Sequence, residues 1–274
     1  MAEIAGVFAV SHTPIMSNMP DAPGVSRRDA AFAQFERVGA EIDSLAPDAV
    51  LLISNDHLHN FYLDNLPAFC IGIASSYISP VEGWLKVPKQ TLPGDPLLGA
   101  HLLREVIEAG FDPALSMELV LDHGTLTPLD RAGIAGRHPL VPILVNAVQP
   151  PMPTMQRSVA LGGALRAAIQ SYKGADRVVV LATGGLSHDV GTPRMGQLNA
   201  EFDRQFLRHL EAGGLDVAAQ YARAHVNSAG NGAEEVRNWL VAQGIAAGAP
   251  FETYFYEGMA EWYTGIALGR WRLP

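Results

Sequence analysis

Nine histidines are spread through the 274 residues, and four of them occupy a particular kind of position. Three apolar, strand-like runs each close on a histidine: GVFAVSH at His12, AVLLISNDH at His57 and VVVLATGGLSH at His188. A fourth, His123, sits in the short motif Asp122-His123-Gly124. Imidazole is a good ligand for divalent transition metals and titrates near neutral pH, so such a set suits a metal site, an acid–base site, or both. In an open α/β sheet the carboxyl ends of the strands line one rim, where residues distant in sequence converge on one cleft. The other histidines have plainer surroundings. His101, His209 and His225 fall in helical segments, His138 in the turn GRHP and His59 two residues after His57, and all read as surface or hydrogen-bonded side chains.

Two imidazoles and a carboxylate on one face of a metal, with other positions open, suit non-haem iron(II) and oxygen. The carboxylate is sought in GNGAEEVRNWLVAQG, which predicts a helix starting near Gly232 with Val236, Trp239 and Leu240 on its buried stripe. Glu235 shares the Trp239 face, whereas Glu234 points with Arg237 and Asn238 toward water. Either glutamate also serves the positive end of the helix, so helical geometry alone leaves both open. Asp56 and Asp122, each just before a rim histidine, are candidates to orient it by hydrogen bonds, or equally to cap turns.

The elements that must position these residues alternate between β-branched apolar runs and segments of helical period, the pattern of helices packed on both faces of a sheet. Strands are predicted at 4–10, 48–54, 69–74, 140–146 and 177–183, and helices at 28–45, 97–109, 155–172 and 195–211. Helix 155–172 is expected to stop at Lys173-Gly174 with the glycine as cap. Proline- and glycine-rich stretches at 13–26 and 75–95 read as loops that could cover a site. No linker or repeat interrupts the pattern, so residues 1–274 are expected to form a single domain.

Composition narrows the function. The formal charge of −9 and the absence of a Lys/Arg cluster beyond Arg27-Arg28 argue against a nucleic-acid surface. The single cysteine, Cys70, excludes an internal disulfide and reads as a buried, inert thiol. No apolar run is long enough to span a membrane and no basic leader precedes one, so a soluble cytoplasmic protein is expected.

The motifs Ser11-His12-Thr13-Pro14, Asn55-Asp56-His57, Asp122-His123-Gly124 and Gly184-Gly185-Leu186-Ser187-His188, with Glu235 four residues before Trp239, together resemble those of the class III extradiol ring-cleavage dioxygenases. The resemblance runs through nearly the whole chain in order, toward the protocatechuate 4,5-dioxygenase and 2,3-dihydroxyphenylpropionate dioxygenase branches. It implies a three-layer α/β/α fold with a mixed central sheet and a metal site at the carboxyl rim. It further implies Fe(II) held by His12, His57 and Glu235, with His123 and His188 as acid–base residues: His188 is assigned as base toward a catecholic substrate and His123 to stabilise bound oxygen or donate it a proton, with an exchange of the two roles left open. Tyr263 and Thr264, in the C-terminal stretch 258–265, are candidates to hydrogen-bond a substrate substituent, while Trp262 and Tyr263 read equally as core or interface aromatics. The implied partners are the small-molecule diol and O2, further copies of the chain, or a separate small helical subunit. An aminophenol substrate, a zinc hydrolase using the same His, His and Glu donors, and a non-catalytic binding protein of the same fold are the competing readings. The zinc reading lacks an HExxH helix pairing.

Overall fold

The computed structural model describes every residue from Met1 to Pro274. Eight strands form one twisted sheet: β1 (Glu3–Val10), β2 (Ala49–Ser54), β3 (Phe69–Gly72), β6 (Ala114–Ser116), β7 (Leu140–Val145), β8 (Arg177–Thr183), β9 (Phe251–Met259) and β10 (Thr264–Trp271), in the order β6-β3-β7-β2-β8-β1-β10-β9. The central four, β7, β2, β8 and β1, run parallel, and antiparallel neighbours, β3 on one side and the β10-β9 hairpin on the other, make the sheet mixed. The central strands are buried on both faces, which is why they read in the sequence as unbroken apolar runs.

Strand side chains alternate between two cores. Val178, Val180 and Ala182 of β8 enter the larger one, roofed by α3 (Pro96–Glu108), α5 (Met155–Ser171), α6 (Ala200–Glu211), α7 (Val217–His225) and α8 (Val236–Ile245). Val179 and Leu181 face the other, closed by α2 (Val25–Ser44) and α4 (His123–Arg131). The result is the three-layer α/β arrangement implied by the resemblance. Cys70 is buried as expected, and burial pushes its thiol up to about 12.

Several boundaries differ from the sequence reading. The stretch 258–265 is not a loop but the tight end of a hairpin, since β9 and β10 pair from Phe251 to Trp271. Within 75–95, β4 (Ser76–Ser79) and β5 (Gln90–Pro93) form a separate two-stranded ribbon, leaving residues 80–89 as the covering segment. Within 13–26 the chain makes the short helix α1 (Ile15–Asn18) and then turns into α2. Helix α6 begins at Ala200 rather than 195 because the Asn199 side chain accepts the Phe202 N–H and fixes the start there. Helix α5 ends at Ser171 with Tyr172 extended, so Gly174 is not a left-handed cap.

Helix α8 departs furthest. It is buried on all sides, packed between α5 and β8, so Arg237 and Asn238 do not face water. Arg237 is 7% exposed, pairs with Glu234 and donates to the Pro153 carbonyl at 2.7 Å. Asn238 is fully buried and donates to the carbonyl of Thr183 and to Asn55 Oδ1. A one-sided stripe is the wrong template for a helix with protein on every face.

Candidate active site

The carboxyl ends of the adjacent strands β1, β2 and β8 deliver His12, Asn55-Asp56-His57 and Gly184–His188 to one rim, as the three histidine-terminated runs require. His123 opens α4 beside them, where Asp122 accepts the Gly124 N–H at 2.9 Å and caps the helix. Glu235 arrives at the end of a 3₁₀ turn, Gly232–Glu235, that leads into α8. His12, His57, His123, His188 and Glu235 line one cavity of about 320 Å³, together with Thr13, Pro14, Ile15, His59, Trp84, Asp189, Val190, Met195, Tyr263 and Thr264.

Glu235 is the centre of the polar arrangement. Its Oε1 lies 3.2 Å from His57 Nε2 and its Oε2 lies 3.6 Å from His12 Nε2, so one buried carboxylate spans two imidazoles. The Gly185 N–H donates to Oε2 at 2.5 Å and fixes the carboxylate's orientation. On the far side of His57, Asp122 Oδ2 accepts from both Nδ1 and the backbone N–H, each at 2.9 Å. Because Nδ1 carries its hydrogen to Asp122, the lone pair of His57 falls on Nε2, facing the Glu235 oxygen. Two electron-rich atoms at that separation call for a cation.

Protonation supplies one. Burial by itself would depress His57, but the carboxylates of Asp122 and Glu235 hold it well above its ordinary range. Burial likewise works to raise Glu235, yet His12 and His57 hold it well below the usual carboxylate range. The His12 ring, pushed down to about 3 mainly by burial, stays neutral, and its Nδ1 is buried with no hydrogen-bond partner. Two imidazole Nε2 atoms facing one buried carboxylate, and the carboxylate itself, fit a divalent transition metal.

His123 also comes within ligating reach of His12 and His57, its ring stacked on that of His57 with centroids 4.1 Å apart. Its Nδ1 is held by Glu82 at 2.6 Å, and Glu82 accepts the His123 backbone N–H at 3.0 Å as well. Burial would raise Glu82, but these bonds hold it below its ordinary range. His59, Glu82 and Asp122 form a second group of possible ligands, yet both carboxylates are already engaged by histidines. His188 is oriented differently: Nδ1 donates to the carbonyl of Leu186 at 2.9 Å, which leaves the lone pair on Nε2.

The other expected site residues divide. Tyr263 lines the cavity from a left-handed backbone position, φ 64°, at the end of the β9-β10 connection. Thr264 lines it too, though it is buried, with Oγ1 3.4 Å from His188 Nδ1. Trp262 is fully buried, stacked on Phe32 with centroids 5.5 Å apart, and is core. Asp122 grips His57, but Asp56 does not touch a rim imidazole. It accepts the backbone N–H groups of His59, Asn60 and Phe61, and so shapes the loop that follows His57.

Glu82 lies outside the sequence reading, and Asn55 and Gly232, though within its motifs, are given no role there. Glu82 sits in a proline- and glycine-rich stretch with nothing local to mark it. Asn55 donates to Glu235 Oε1 at 3.2 Å, and its Nδ2 lies 2.9 Å from His57 Nε2. Gly232 leaves room for the His188 ring.

Comparison with known proteins shows the family. Residues 6–267 match the family described as the catalytic LigB subunit of aromatic ring-opening dioxygenase, and the chain belongs to that family. It is an extradiol ring-cleavage dioxygenase. The 2,3-dihydroxyphenylpropionate/2,3-dihydroxicinnamic acid 1,2-dioxygenase of Cupriavidus necator is 29% identical, with 94% of this chain and 95% of that protein covered. The protein of the same name from Mycobacterium sp. (strain MCS) is also 29% identical, with 98% of each chain covered. A crystal structure of an uncharacterized Escherichia coli K12 protein shares the fold, with a TM-score of 0.63 at 14% identity over 96% of this chain and 98% of that one. No helix is long and apolar enough to cross a membrane.

Proposed function

We propose that this dioxygenase is an Fe(II) enzyme that opens a catecholic ring beside its diol, consuming O2, incorporating both oxygen atoms and releasing a semialdehyde-type acid. His12, His57 and Glu235 are its metal ligands. The observation that carries the reading is the single buried carboxylate set between the Nε2 atoms of His12 and His57, at 3.6 and 3.2 Å, beneath a cavity of small-molecule size. Ferrous iron held there would supply chelation of both diol oxygens and activation of dioxygen.

The two remaining histidines differ in what holds them, and that difference divides their work. A carbonyl can only accept, so His188 keeps its hydrogen on Nδ1 and presents Nε2 as the base that takes a diol proton. His123 is backed by the Glu82 carboxylate at 2.6 Å, which compensates positive charge on the ring and suits a donor that returns a proton to oxygen later in the reaction. Tyr263 and Thr264 border the substrate, with Thr264 also supporting His188. The sheet draws strands from residue 3 to residue 271, which supports one catalytic domain over 1–274. Self-association or a separate small helical subunit, and a cytoplasmic location, complete the proposal.

The test is oxygen uptake by anaerobically iron(II)-loaded protein offered a panel of catechols and aminophenols, with absorbance for a yellow ring-opened product. Uptake coupled to that product is expected. Iron-loaded protein that consumes no oxygen with any diol overturns the reading.

A further inference from the structure

The relatives named above act on a diol whose side chain ends in a carboxylate, and such a group needs a cation or several hydrogen-bond donors where it docks. The cavity of this chain has no cation on its lining, and its hydroxyls are those of Thr13, which donates to the Trp262 carbonyl, Thr264 beside His188, and Tyr263. None of its lining residues is Lys or Arg, and beyond the polar cluster its wall is formed by Pro14, Ile15, Trp84, Val190 and Met195. The charged side chain on that wall is Asp189, which is acidic, 5% exposed and already paired with Arg194 at 3.0 Å and with the Asn231 N–H. His59, the remaining histidine on the wall, faces Glu82 at 3.4 Å. The apolar wall continues outward: Trp84 is 57% exposed, Val190 58% and Met195 49%.

Resting on the ring-cleavage reading, we propose that the substrate is an arene diol carrying an uncharged, apolar substituent seated against Ile15, Trp84, Val190 and Met195. A carboxylated substituent would leave water for a wall lined by no Lys or Arg, where the one aspartate is already neutralised by Arg194, so it is disfavoured by desolvation. An alkyl or aryl group instead buries apolar surface at both partners.

The test compares near-isosteric 3-propylcatechol and 2,3-dihydroxyphenylpropionate with the same iron-loaded protein, by kcat/KM and, without oxygen, by quenching of tryptophan fluorescence. The expected result is at least a tenfold preference for the propyl compound in both measurements, carried by KM rather than kcat. Val190→Arg places a cation on the wall and is expected to narrow or reverse that ratio by about tenfold. Equal or better binding and turnover of the propionate by the parent protein overturns the proposal while leaving ring cleavage intact. Tighter binding of the propyl compound without turnover of either supports the pocket's preference and removes the ring-cleavage reading. Binding of neither compound overturns both.

Discussion

The His188 ring occupies the space that a side chain at residue 232 would need: a Cβ on Gly232 would lie 2.0 Å from His188 Nε2. The Gly232 N–H also donates to the His188 carbonyl at 3.0 Å, so the glycine both admits the ring and anchors its backbone. Gly232 is not in a left-handed conformation, so what it contributes is the missing Cβ.

Gly232→Ala should therefore move the proposed base without touching the metal cluster. The expected outcome is a fall in kcat of about a hundredfold, the scale on which ångström displacements act, with iron content unchanged. Steady-state oxygen uptake and metal analysis check it; a variant with parental kcat would show that His188 Nε2 need not lie where the structure places it.

Two donor sets share His12 and His57, and metal analysis separates them. Glu235→Gln should lose most bound iron, whereas His123→Gln should retain it and lose turnover by a factor of roughly 10²–10⁴, the usual size of an acid–base contribution. Glu234→Gln should keep both, because Glu234 is engaged by Arg237. Iron lost in His123→Gln and kept in Glu235→Gln would make the site a three-histidine one.

Glu82 holds His123 by two bonds, at 2.6 and 3.0 Å, from a segment that touches no other proposed catalytic histidine. Glu82→Gln preserves shape but removes the charge, and kcat should fall roughly tenfold to a hundredfold, in the range seen when partners of active-site histidines are changed. KM for the diol should change little. A variant with unaltered kcat would leave Glu82 with a structural part only.

Asp203 bears on stability rather than chemistry. It is buried and accepts from the Ser187 N–H, the Ser187 hydroxyl and the Tyr256 hydroxyl, tying the loop that carries His188 to α6 and β9. Burial outweighs these bonds and raises its carboxyl to about 6, against an ordinary 3.8. Between those values the folded protein holds a proton that the unfolded chain releases, so stability falls as pH rises from about 4 to about 6 and the loss persists above. The magnitude is on the order of 3 kcal/mol. Urea denaturation of Asp203→Asn beside the parent at pH 4.5 and pH 7 should show the variant gaining relative stability at the higher pH. A difference that does not change with pH would contradict the buried, proton-holding Asp203.

What could be read from the chain and what could not follow from how far apart the determinants lie. His12, His57 and His188 were legible because each ends a run buried on both faces, and three such strands sit side by side at the sheet's centre. Glu235 was only half legible. A single helix from Gly232 placed it on the Trp239 face, whereas Glu235 lies in a 3₁₀ turn and α8 begins only at Val236, and the same template sent Arg237 and Asn238 to water, because a sequence window cannot reveal that α5 covers the opposite side of α8. The β9-β10 hairpin escaped notice because β9 lies at the sheet edge, half-buried along most of its length, so it lacks the apolar continuity of the central strands. Glu82 was invisible for a different reason: its partner is 41 residues away and its own neighbours are those of an ordinary loop.

The carboxylate that spans the two imidazoles comes from the last quarter of the chain, while His12 lies in the first strand-to-helix turn. No amino-terminal fragment can therefore assemble this cluster, whose carboxylate joins the two imidazoles only when the turn leading into α8 packs beside β8. On the proposed ligand set, full assembly of the metal site is in consequence a late event in the life of the molecule, following completion and closure of the fold.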